Sequence, residues 1–184
     1  WEWYEWRRGL VAGARPNPGH LALAEMERRV PRLSLLTQNV DGLHQRAGSR
    51  NVVELHGNIA RSKCFDREHP AESWPETGDV PPRCPRCGSL LRPDVVWFGE
   101  ALPESALAAA WDAAETCDLF FSIGTSGMVQ PAASLSHQAQ ARGATVVIIN
   151  PDVSDFASLS QVLIQGPSGL VLPALLEKTW PVSG

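Results

Sequence analysis

Leu33-Ser34-Leu35-Leu36-Thr37-Gln38-Asn39-Val40-Asp41-Gly42-Leu43-His44 decides how the rest of this chain is read. Residues 33–36 form a short apolar run of the kind that becomes a buried strand. The polar group Gln38, Asn39 and Asp41 then falls at the strand's C-terminal end, the edge at which open α/β sheets bind ligands. These side chains can read an amide and a sugar. After a short gap comes Val53-Glu54-Leu55-His56-Gly57, a lone imidazole beside a glycine.

Working outward, the N-terminal side reads as two helices. Residues 1–8 are aromatic and charged, residues 13–19 are rich in Gly and Pro and read as a loop, and a second helix follows with Leu23, Met26 and Val30 on one face until Pro31 ends it. On the C-terminal side, residues 61–92 change character. They are rich in Pro, Cys, Gly and charge, with little periodicity, and such a segment needs a staple. From Pro93 the alternation returns: an alanine-rich helix over 104–116, a strand over 118–123 ending in Gly124-Thr125-Ser126, and a helix from Pro131 to Arg142. A strand over 145–149 ends in Asn150-Pro151-Asp152, a short strand covers 161–164 and a last helix 170–178. Strands alternating with helices predict an α/β fold with a parallel, Rossmann-like sheet. Three polar clusters then lie on one edge of that sheet, where a dinucleotide would bind. Any one of them alone would be an ordinary loop or cap.

With 184 residues, 43% of them hydrophobic, the chain can bury a core. Its net charge of −4 gives no basic field for a nucleic-acid backbone. No apolar run is long enough to cross a bilayer and the first residues lack the pattern of a signal peptide, so the expected location is cytoplasmic. Four cysteines, at positions 64, 84, 87 and 117, are too few for a disulfide scaffold. Cys84-Pro85-Arg86-Cys87 has the spacing of half a zinc site, while Cys64 faces Arg67 where a second half would place its partner. Cys64, Cys84 and Cys87 are therefore the candidate ligands. Asp66 or His69 could complete a tetrahedral set, and a metal-free remnant of such a site is the equal alternative. Cys117 is assigned to the core.

T-Q-N-V-D-G-L-H together with E-L-H-G resembles the sirtuin family of NAD-dependent protein lysine deacylases, and the resemblance runs through nearly the whole chain. It implies a Rossmann-like domain made of residues 31–60 and 93–184, a helical part of a small domain in 1–30, and a zinc-ribbon-like insertion over 61–92 holding structural Zn²⁺. It assigns Gln38, Asn39 and Asp41 to the nicotinamide and its ribose, and Gly124, Thr125, Ser126, Asn150 and Asp152 to the adenosine half of NAD. Asp152 keeps the carboxylate of the glutamate often found there, with shorter reach. His56 becomes the general base, a role suited to an imidazole near neutral pH. By resemblance, the acyl-lysine carbonyl oxygen attacks the nicotinamide ribose, nicotinamide leaves, and His56 activates a ribose hydroxyl that attacks the resulting imidate. His44 lies in a matching motif but is assigned no chemistry.

Leu91-Arg92-Pro93 and Val95-Val96-Trp97-Phe98-Gly99-Glu100 are similar to the sirtuin channel in which the substrate peptide adds as a strand. This implies that Val96, Phe98, Gly99 and Glu100 contact acylated lysine-containing proteins. Tyr4 and Arg7, three apart on a helix, share a face. Their stretch resembles the class III sirtuins, including bacterial deacylases and the mitochondrial desuccinylase, in which Y-x-x-R receives an acidic acyl group. Succinyl and malonyl, with acetyl secondary, are the expected acyl groups.

The family's opening strand and G-A-G-x-S phosphate loop have no counterpart in these residues. The first strand of the Rossmann fold is thus expected to be absent, with NAD binding weakened. Two further classes of function follow as alternatives: a catalytically incompetent remnant that binds peptide or partner protein, and a zinc-ribbon interaction module confined to 61–92. The NAD-facing clusters argue against the second.

Overall fold

The computed structural model describes residues 1–152 and 162–181. Helix α1 (Glu2–Gly13) is followed after four residues by α2 (Pro18–Arg29), whose start is fixed by Asn17. The Asn17 side chain accepts from the His20 backbone N–H while the His20 ring accepts from the Asn17 backbone, and Pro18 fills a first-turn position that needs no N–H. The loop expected over 13–19 is therefore only 14–17. Helix α1 also runs well past residue 8, because Gly9 and Gly13 are tolerated on an open helical face.

Strand β1 (Leu35–Thr37) pairs in parallel with β2 (Val52–Glu54), and α3 (Leu43–Arg46) lies between them in sequence. The chain then leaves the parallel layer. Strands β3 (Gly57–Cys64), β4 (Pro70–Ala71) and β5 (Leu91–Val95) make an antiparallel sheet in the order β4-β3-β5. The segment that looked aperiodic is thus bounded by real strands; Pro93 and a break in register between Asn58 and Ser62 hid their alternation. Helix α4 (Glu104–Thr116) returns to the parallel layer, followed by β6 (Leu119–Ile123), α5 (Ser134–Ala141), β7 (Thr145–Asn150), β8 (Val162–Gln165) and α6 (Ser168–Thr179). Strands β6, β7 and β8 pair in parallel in that order. Residues 131–133 form a turn ahead of α5, so that helix starts later than Pro131 suggested. Gln161, expected to begin the eighth strand, lies outside the described residues.

Two cores hold these layers. Ala110 and Ala114 of α4, with Leu135 and Ala139 of α5, pack on Leu55, Leu36 and Phe120, which joins β1–β2 to β6 through the helices. Small alanines on both helices let them approach closely. Ala22 and Met26 of α2 and Leu172 of α6 cover Val147 and Ile149 of β7. Alternate residues of β7, Val146 and Ile148, are also buried, so this strand is covered on both faces, as its continuous apolar run implies. A third, small core, Cys64, Ala71, Cys84 and Leu91, sits at the far end of the antiparallel sheet.

Candidate functional site

Thr37, the last residue of β1, turns its hydroxyl onto the Asn39 backbone N–H (3.1 Å), which bends the chain out of the strand. Gln38 then reaches across to Thr125 beyond β6, with Nε2 3.4 Å from the hydroxyl. Thr125 is held in turn by Asn150 at the end of β7, whose Nδ2 donates to its carbonyl at 3.1 Å. Gly124 takes φ +60° so that the chain can swing off β6, and its N–H still donates to Ile149. Three of the polar clusters therefore meet through Gln38, Thr125 and Asn150. Asn39, Ser126 and Asp152 are exposed beside them. Asp41 uses Oδ1 to accept from the Leu43 N–H (2.9 Å), starting α3 after Gly42, which takes φ +66°. These donors and acceptors, gathered at the ends of parallel strands, fit a dinucleotide.

His56 sits half-buried in the turn between β2 and β3. Its Nδ1 is 3.0 Å from the Gln38 carbonyl oxygen. A carbonyl can only accept, so Nδ1 carries a proton; in the neutral ring the lone pair is then on Nε2, where a general base needs it. The backbone is gripped on every side. Leu55 N–H donates to Thr37, Val96 N–H donates to the His56 carbonyl at 3.0 Å, and Ile59 N–H donates to Val40. Gly57 follows at φ +77°, pressed against β5 so closely that a side chain there would overlap the Asp94 carbonyl.

Glu54, which sequence reasoning carried only as part of a motif, is the most connected carboxylate near this turn. Oε1 accepts from Gln45 Nε2 (2.8 Å) and Asn58 Nδ2 (2.7 Å), and Oε2 from Arg61 Nη1 (2.7 Å). Burial works against the charge on Arg61, and its hydrogen bonds to Glu54 and Asp94 outweigh this and raise its pKa. A cavity of about 460 Å³ opens behind this group, lined by Glu54, Arg61, Asp94, Val53 and the start of α4. It lies on the α4 side of β2 and contains none of the cofactor or base candidates.

Strand β5 stops at Val95, and the 96–100 segment that follows is a turn. Arg92, almost fully buried, explains the stop. Its guanidinium grips both oxygens of Glu100 and stacks 3.5 Å from the Trp97 ring centre, with Phe65 on the same cation at 5.8 Å. The Arg92 hydrogen bond, together with one from the Trp97 N–H, holds the Glu100 carboxyl below its usual range despite partial burial. Glu100 is thus the latch of the turn. Phe98 projects fully into solvent, and Val96 stays half-buried against His56.

On α1, Arg7 stacks 4.8 Å from the Trp3 ring, whose edge also meets Tyr4. Arg7 makes no hydrogen bond among the described residues. Its neighbour Arg8, unremarked in the sequence, fastens α1 to β3 by donating to Ile59 O, Arg61 O and Ser62 Oγ.

Cys64, Cys84 and Cys87 come together, and the fourth member is His69: the candidate ligand atoms of all four lie within 4.8 Å of one another. Asp66, the other candidate, is instead bound to the Ser89 hydroxyl. Two separations, 3.5 Å between Cys64 Sγ and Cys87 Sγ and 3.7 Å between Cys84 Sγ and His69 Nδ1, suit a tetrahedron with metal bonds of about 2.0–2.3 Å. The donor set therefore fits Zn²⁺. Burial pushes the Cys64 thiol up, but hydrogen bonds from Arg67, Cys87, Asp66 and Cys84 more than offset it. A backbone hydrogen bond from Ser89 lowers the Cys87 thiol, but the neighbouring Cys64 raises it, so the two sulfurs share one proton unequally. Cys117 is half-buried against the α4–α5 core.

Among the described residues no helix is long and apolar enough to cross a membrane. A model of the Sir2 family matches residues 1–131. The NAD-dependent protein deacylase 2 of Pyrobaculum aerophilum is 49% identical, covering 97% of this chain and 72% of its own length. Among solved structures, a Sir2 homologue in complex with NAD superposes with a TM-score of 0.90 at 43% identity, covering 97% of this chain and 70% of that one. A mutant Sir2 homologue bound to 2′-O-acetyl-ADP-ribose gives 0.89 at 42% identity, covering 100% and 75%.

Proposed function

This chain belongs to the Sir2 family, and we propose that it removes acyl groups from protein lysines in an NAD-dependent reaction that releases nicotinamide and O-acyl-ADP-ribose. One arrangement carries the proposal: His56, protonated at Nδ1 through the Gln38 carbonyl, stands at the strand end where Gln38, Thr125 and Asn150 are joined by hydrogen bonds. NAD, when bound, supplies the ribose carbon to which the acyl oxygen transfers. Gln38, Asn39 and Asp41 orient the nicotinamide half, and Gly124, Thr125, Ser126, Asn150 and Asp152 line the path of the adenosine half. His56 Nε2 takes a proton from a ribose hydroxyl. Val96, Phe98 and Gly99 flank the entering peptide, while Glu100 shapes that wall through Arg92. A zinc ion held by Cys64, His69, Cys84 and Cys87 would tie together the end of the antiparallel sheet.

The acyl group we propose is acidic, succinyl or malonyl in preference to acetyl. Arg7 supports this reading: half-buried on an aromatic face and with no carboxylate partner among the described residues, it is free to grip one, with the Tyr4 phenol one turn away. The test is kcat/KM on matched succinyl- and acetyl-lysine peptides for the parent and Arg7→Met. A charge-assisted hydrogen bond of about 1.5–3 kcal/mol predicts a tenfold to hundredfold loss on succinyl-lysine only, roughly. Equal losses would make Arg7 a support of the fold, and no NAD-dependent nicotinamide release from either peptide would remove the deacylase reading itself.

A further inference from the structure

Glu54 stands one residue before the Leu55-His56 turn, and its carboxylate is the point where three elements meet. Gln45 comes from α3, the helix begun by the Asp41 turn, while Asn58 and Arg61 come from β3, the strand that leaves the His56 turn. Arg61 continues to Asp94 on β5, with Nε 3.0 Å from Oδ2. The Glu54 side chain is only 12% exposed, and its bond to Asn58 is the most sheltered of the three, while the Gln45 and Arg61 ends reach the surface. Remove it, and no other side-chain hydrogen bond among the described residues joins β2 to Gln45 on α3; the turn keeps the burial of Leu55, the close approach of Gly57 to β5, and backbone bonds to Thr37, Val40 and Val96.

We propose that Glu54 is a positioning residue for His56, holding the base-bearing turn in register with the cofactor-facing stretch so that the Nδ1 bond to Gln38 persists. This rests on the deacylase reading above. A carboxylate is required because it is acceptor-only and meets three donors at once. An amide of the same shape must turn its NH₂ toward at least one of them. With the bracket loosened, the imidazole gains freedom, the Gln38 bond is lost part of the time, and Nε2 no longer points steadily at the ribose.

The reaction offers a way to tell this from general damage. Nicotinamide leaves before the step that needs a base, so exchange of labelled nicotinamide into NAD in the presence of acyl peptide samples the site without His56 acting as a base. For Glu54→Gln, deacylation kcat should fall about tenfold to a hundredfold, as for a group displaced by a fraction of an ångström to an ångström. Nicotinamide exchange and the KM values should stay within about twofold of the parent. A second readout needs no NAD: the ring ¹⁵N shifts of His56 should report a single Nδ1–H tautomer in the parent and a mixture in the variant. Gln45→Ala, which removes one exposed donor and leaves the ion pair, should move the deacylation-to-exchange ratio the same way by less, and it carries the test if Glu54→Gln does not fold. Parallel loss of both activities, or an unchanged tautomer with an unchanged ratio, would overturn the proposal. A parent protein lacking both activities would instead overturn the deacylase reading, and the proposal with it.

Discussion

Gly57→Ala concentrates several features of this molecule in one atom. Gly57 has φ +77°, a conformation that costs an L-residue about 1–2 kcal/mol. A Cβ there would stand 2.1 Å from the Asp94 carbonyl oxygen and 3.0 Å from its carbon, backbone atoms that cannot rotate away. Strand β5 would have to retreat by about 1 Å, an overpacking cost of about 1–3 kcal/mol. That movement stretches the 3.0 Å bond from Val96 N–H to the His56 carbonyl beyond hydrogen-bonding range, for a further 0.5–1.5 kcal/mol or about that. The sum is about 2.5–6.5 kcal/mol, which for a chain of this length lowers Tm by roughly 5–26 °C. Gly78→Ala is the control, since Gly78 has φ +81° but no atom within 4 Å of the added carbon, so only the conformational term applies. Thermal unfolding of the three proteins by circular dichroism, with deacylation measured well below the transitions, is the assay. Equal Tm losses for the two variants would show that β5 does not press on Gly57 and that the close approach holding the His56 turn is wrong.

Three further outcomes are expected. His56→Ala should cut deacylation by about 10²- to 10⁴-fold with Tm little changed, and turnover within a few-fold of the parent would exclude it as the base. Protein purified without chelator should carry close to one zinc per chain, and His69→Ala should lower metal retention and Tm while Asp66→Ala should not; equal effects would leave the fourth ligand unassigned to His69. The His20 and His44 rings meet at a 53° tilt with centres 4.6 Å apart, and burial first of all lowers both their pKa values below the ordinary 6.5. Because the folded state disfavours their protonation, stability is fully present above the unfolded value and is lost as pH falls through 6.5 toward the lower folded values. Denaturant midpoints measured from pH 7.5 to 5 should decline, and His44→Gln should flatten the slope; an unchanged slope would assign the decline to other groups.

Periodicity and strand-end chemistry, both local properties, carried the parallel layer. The apolar runs ending at Leu36, Ile123 and Ile149 contain strands, the first of them beginning only at Leu35, Glu104–Thr116 is a helix with the expected bounds, and each polar cluster sits where its strand ends. The antiparallel sheet was not legible, because Pro93, a register break and the lack of strict alternation erase its period. Site membership divided the same way. His56 and the Gln38 cluster are candidates through motifs that resemble the sirtuin family, the second of them at a strand end, and Cys84 and Cys87 through their spacing. His69 has no spacing to mark it: β3 and β4 fold back and bring it to Cys84. Glu54 and Arg92 enter the sequence reading only as members of motifs and Arg8 with no role of its own; the donors around Glu54, the grip of Arg92 on Glu100 and the reach of Arg8 to β3 are set by the folded turns and sheets. A side chain's chemistry and its short-range pattern are written in the chain itself. Which donors surround a carboxylate, and which tautomer an imidazole must adopt, depend on atoms that only folding brings within 3 Å or so.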